Sequence, residues 1–127
     1  MQSAQIEAYN NVHKMTLTGR ELEAAVLTKA AQKLRFCQNN WGASDLEENL
    51  QEALRYNQQV WTVFQTEVSN PENPLPKKLK EDLLSLSVFI DKRIFDIMSF
   101  PAPEKLNAII NINLNIAAGL SGSVAQK

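Results

Sequence analysis

The sequence predicts an all-α fold, a single-domain bundle of four main helices over about 19–40, 45–69, 77–99 and 104–120, with a further short helix near the N-terminus. Three observations predict it. Apolar residues recur at helical spacing in four separate stretches. Capping residues precede two of those stretches. All five prolines fall in the breaks between the others.

The first main helix opens at Gly19, after Thr18, which can form a capping box with Glu21. Leu22, Val26, Leu27, Ala30, Leu34 and Cys37 form its inward face, and Trp41-Gly42 closes it. Ahead of it, residues 4–14 allow a short helix that Asn10 and Asn11 weaken. A second capping box, Ser44 with Glu47, opens the next helix, whose stripe runs through Leu46, Leu50, Ala53, Leu54, Val60, Trp61, Phe64 and Val68. Asn70-Pro71 ends it, because proline disfavours helical geometry in the residue before it and has no N–H to donate. The loop NPENPLP that follows is stiff for the same reason.

The third helix starts after Pro76 and stops at Phe100-Pro101. It carries two apolar stripes. Leu79, Leu83, Leu86, Ile90, Ile94 and Ile97 make one, and Leu84, Val88 and Phe95 make another on roughly the opposite face. Such a helix is either central in the bundle or presents a groove. Pro101 and Pro103 set up the last helix, with Leu106, Ile109, Ile110, Ile116, Ala117 and Leu120 inward and Asn107, Asn111 and Asn115 outward. Gly119 and Gly122 mark its expected end. The domain therefore spans 1–120, and 121–127 reads as a flexible tail.

Composition narrows the function classes. With 127 residues and 44% hydrophobic content the chain closes one core. Thirteen Lys and Arg against fourteen Asp and Glu give a formal charge of -1, which excludes DNA binding as a reading and disfavours direct RNA binding. One cysteine, a polar start without a secretory apolar run, and no stretch of ~18 apolar residues together predict a soluble cytoplasmic protein.

No residue pattern supports catalysis, a metal or a cofactor. The single histidine, His13, has no Glu-x-x-His partner set, and Cys37 lies on an apolar helix face, where it reads as an inert core thiol. Glycine-rich phosphate loops and nucleophile elbows are missing from the sequence. Two asparagines sit inside apolar stripes, Asn57 between Leu54 and Trp61, and Asn113 between Ile110 and Ala117. An unpaired buried amide costs on the order of 1–3 kcal/mol, so each is expected to bond to backbone, to the NPENPLP loop, or to the other. Lys77, Lys78 and Lys80 form the one basic cluster, at a helix N-terminus where positive charge opposes the dipole. It is either a solvated face helped by Glu81 and Asp82, or a docking point for an acidic protein or an RNA backbone.

Four segments, RELEAAVLTKAA (20–31), EALRYNQQVW (52–61), NPENPLPKKLKEDLLSLSVFIDKR (70–93) and LNAIININLNIAAGL (106–120), occur in the order of one family. On these segments the chain resembles the bacterial flagellar biosynthesis regulator FlaF family. The resemblance implies a role in flagellin production and export alongside the translational regulator FlbT, and it brings no catalytic motif. Flagellin and an FlbT-type regulator are accordingly the expected partners. The spare stripe of Leu84, Val88 and Phe95 then reads as a surface for the amphipathic terminal helix of newly made flagellin, since a helix laid in a groove uses anchors at i, i+4, i+7 and i+11 and these three are of compatible spacing. The competing readings are that these three residues pack against the short N-terminal helix, or that flagellin messenger RNA is contacted directly through the lysines.

Overall fold

The computed structural model describes residues 19–125, all of it helix, turn or loop. Thr18 of the first capping box, His13 and the expected helix over 4–14 lie outside the described residues. Helix α1 spans Gly19–Asn39, α2 Leu46–Ser69, α3 Lys77–Ser99 and α4 Asn107–Ala125, with a single 3-10 turn, Pro103–Leu106, leading into α4. Four helices pack together as the spacing predicts. Helix α1 packs most extensively on α4 and next on α2, while α3 leans chiefly on α2 and touches the 3-10 turn. Helix α3, which rests chiefly on α2, is therefore peripheral.

The core follows the predicted stripes closely. Leu27, Leu34 and Cys37 of α1, Leu54, Val60 and Trp61 of α2, Ile90, Ile94 and Ile97 of α3, and Leu106, Ile109 and Ile110 are all buried. Burial pushes the Cys37 thiol up, with the Glu52 charge adding to it, so thiolate is suppressed at this site. Asn107, Asn111 and Asn115 face outward as expected. Gln38 ties the end of α1 to the last helix, its Nε2 donating to Pro103 O at 2.9 Å and to Asn107 Oδ1 at 2.7 Å. Lys105 pairs with Asp96 at 3.1 Å and holds the other end of that connection to α3.

The two buried asparagines bond to one another rather than to the proline loop, with Asn57 Nδ2 left without a hydrogen-bond partner. Trp61 Nε1 donates to Asn113 Oδ1 at 2.9 Å, and Asn113 Nδ2 donates to Asn57 Oδ1 at 2.6 Å. The orientation of both amides follows from the indole, which can only donate: Asn113 must present its oxygen to Trp61, so its nitrogen points at Asn57. Both asparagines are fully buried, which makes this a polar link through the core between α2 and α4. The loop meanwhile satisfies itself. Asn70 Oδ1 accepts from Glu72 N and Asn73 Oδ1 from Leu75 N, forming two side-chain turns within it.

Three expectations are corrected. The Ser44–Glu47 capping box does not form: Asp45 is the N-cap of α2 and makes no side-chain cap bond. The chain enters α2 through consecutive backbone turns, in which Leu46 N donates to Ala43 O and Asn49 N to Asp45 O, so those amides are already satisfied. Leu79 is 41% exposed, because it lies in the first turn of α3 beyond the point where a neighbouring helix covers it. Finally, α4 continues to Ala125. Gly119 and Gly122 do not stop it, since neither adopts the positive φ by which a glycine ends a helix.

Candidate functional site

Leu84, Val88 and Phe95 lie on the outer side of α3, with 36%, 53% and 74% of their surface exposed. The geometry follows from the periodicity: with 3.6 residues per turn, these three and Met98 fall within an arc of about 80°. The inward residues Leu83, Ile90 and Ile94 occupy a neighbouring face, turned against α2, and not the roughly opposite face expected, because about 100° of the helix circumference separates the two sets. Because α3 rests chiefly on α2, its second stripe is left exposed. Met98 and Phe100 are also strongly exposed and extend the apolar strip beyond Phe95 to the end of the helix. Periodicity alone could have added Met98, three residues after Phe95. Phe100 follows the last helical residue, where the helical wheel says nothing.

The strip is not uniformly apolar. Asp91, seven residues after Leu84, is exposed within the same arc. On the flank, Arg93 stacks its guanidinium on the Phe89 ring, 5.4 Å from the centroid. A groove of about 270 Å³ adjoins the C-terminal end of the strip, between Leu46, Leu50 and Leu54 of α2 and Ile97, Met98 and Pro101. A docked helix lying along the strip could place a side chain there.

Lys77, Lys78 and Lys80 stand at the N-terminal end of the same helix. Lys78 Nζ lies 2.9 Å from Asp82 Oδ1 and Lys77 Nζ 4.0 Å from Glu81 Oε1, both one turn further on and both well exposed. These contacts offset the unfavourable charge at the helix start and reduce the cluster's net field, though exposed pairs of this type contribute little stability. Asn57 and Asn113 belong to the core and take no part in this surface.

A second feature went unseen in the sequence. Beneath the NPENPLP loop, a pocket of about 410 Å³ opens between the start of α1, the end of α2, the start of α3 and the end of α4. Phe64, Val68, Leu75, Leu79, Leu83, Ile116 and Leu120 line it, together with Arg20, Glu23 and Glu67. The two glutamates come from different helices 44 positions apart, so no local spacing could have paired them. Glu23 is half-buried and its pKa is pushed up to about 8, first by burial, then by a hydrogen bond to the Glu67 carboxyl and the charge of that group; Arg20 opposes the shift more weakly.

This raised value makes stability depend on pH. Between about 4.5 and about 8 the folded chain holds a proton that the unfolded chain releases, so Glu23's contribution is full below that window and lost as pH rises through it. A Glu23→Gln variant is therefore expected to match the parent near the acid edge and to exceed it by about 1 kcal/mol near pH 8.5, after allowance for solvent screening, since Glu23 is half-buried and Glu67 exposed. Urea titrations at both pH values check this, and equal differences at the two would refute it.

Among the described residues no group of three or more His, Cys, Asp or Glu side chains is placed to hold a metal ion, and no helix is long and apolar enough to cross a membrane. A sequence model of the family described as Flagellar protein FlaF matches residues 5–120 of this chain. No curated protein and no solved structure matches it.

Proposed function

The chain belongs to the FlaF family of flagellar proteins, and from that premise we propose that it binds newly made flagellin as a chaperone and adaptor, promoting flagellin synthesis and export together with the regulator FlbT. The observation that carries this reading is the exposure of Leu84, Val88 and Phe95 on the peripheral helix α3. An apolar strip on a folded domain is held open at a free-energy cost unless another surface covers it, and a contiguous one marks an interaction site. Its spacing suits the apolar face of an amphipathic helix, the element expected of the terminal region of flagellin. Covering that region in the cytoplasm would keep flagellin from polymerising early.

Direct regulation through messenger RNA is the competing mechanism, and the lysines at the start of α3 would have to serve it. Two of the three already lean on carboxylates. The discriminating experiment titrates the purified protein against flagellin, flagellin lacking its helical termini, and flagellin leader RNA, each at two salt concentrations. Flagellin binding that needs the termini and changes little with salt is the expected result. RNA binding alone, falling steeply with salt as phosphate contacts require, would replace the chaperone reading with the RNA one.

A further inference from the structure

We propose that the pocket beneath the NPENPLP loop is a second docking site, which takes a segment of a partner protein that inserts one lysine or arginine side chain, flanked by apolar residues, between Glu23 and Glu67.

The argument starts from what lines the pocket. Most of its wall is aliphatic or aromatic, from Phe64 and Val68 on α2 through Leu79 and Leu83 on α3 to Ile116 and Leu120 on α4. Leu79 and the proline loop form an open lip, which explains why a leucine of the predicted core stripe stays 41% exposed. About 410 Å³ holds one long side chain together with part of a neighbour. Against this apolar wall, two carboxyl groups from α1 and α2 meet each other. Like-charged groups in close contact destabilise each other's ionised forms, and a cation placed between them relieves both. Arg20 lines the same pocket but makes no ion pair with either carboxyl among the described residues. The other lining residues, on α3, α4 and the loop, carry no charge. A purely apolar ligand would leave the carboxyls uncompensated, and a small hydrated cation would leave the walls wet. A basic side chain satisfies both, because its aliphatic stem lies along the wall while its head reaches the carboxyls.

The test uses the full chain, a short peptide with leucine on both sides of one lysine, and the same peptide with norleucine in place of lysine, followed by amide chemical shifts. The lysine peptide is expected to bind about tenfold tighter than the norleucine peptide, with shifts centred on residues 20–23, 64–79 and 116–120. Its affinity should rise from about pH 6 to about pH 8.5 as Glu23 loses its proton, while that of the norleucine peptide stays level. In Glu23→Gln and Glu67→Gln, both of which keep the size and polarity of the side chain, the preference for lysine should collapse. Equal affinity for the two peptides, shifts centred elsewhere, no binding of either peptide, or a lysine preference that survives both substitutions in a folded chain would overturn the proposal.

Discussion

Val88→Asp is expected to weaken flagellin binding by more than about 100-fold while the bundle stays folded. Val88 sits mid-strip with 53% of its surface exposed, so an aspartate there meets water in the free protein, and substitutions at such positions usually change stability by about 0.5 kcal/mol or less. In the complex the same carboxylate would be trapped under an apolar helix with no partner, and interface positions of this kind cost more than about 3 kcal/mol when desolvated unpaired. Phe95→Asp should act alike, being more exposed still. Leu84 is the most covered of the three, so its aspartate variant should lose some stability as well as binding. Titration of labelled flagellin, together with thermal unfolding followed by circular dichroism, separates the two effects. If Val88→Asp binds flagellin normally, the strip is not the binding surface.

Asn113→Ala is expected to be the most damaging single polar substitution, by about 3 kcal/mol or more. It removes the acceptor of the Trp61 indole and the donor to Asn57 together, and leaves a small void in a site with no exposure. Asn113→Leu should cost nearly as much, because the lost pairing outweighs the lost volume. The double variant Asn57→Leu/Asn113→Leu should fall short of the sum of its singles, since each single change strands polar groups that the double change partly removes. Denaturant midpoints of the four chains check this. Full additivity would show that the two amides act independently and that the link has no energetic role.

The helices could be read from the sequence because the information that forms them is local. Apolar spacing and the positions of Pro71, Pro76 and Pro101 place α1 to α3 within a residue or two. The pairing of Asn57 with Asn113 was also legible in outline, because two polar residues in opposed apolar stripes need partners. What failed was set by neighbours. Ser44 lost the capping role to backbone turns, and Leu79 was left uncovered by the arrangement of the helices around it. Gly119 and Gly122 resemble a helix ending in the sequence, but the glycine stop needs a positive φ that neither adopts. Of the surface strip, the residues were visible and their exposure was not, since periodicity cannot tell a helix at the edge from one in the middle. The meeting of Glu23 with Glu67 depends wholly on how α1 lies against α2.

The chain of bonds from Trp61 through Asn113 to Asn57 also fixes what can move. Sliding α4 by one turn along α2 would strand the indole N–H and two amides in a dry interior, so these two helices are locked lengthwise like a keyed shaft. Helix α3 has no such key: among the described residues its side-chain hydrogen bond to α2 is the one between Gln65 Nε2 and Ser87 Oγ, and the Lys105–Asp96 pair ties its far end to the turn before α4. The lengthwise lock thus belongs to α2 and α4, while α3 is held mainly by its apolar face.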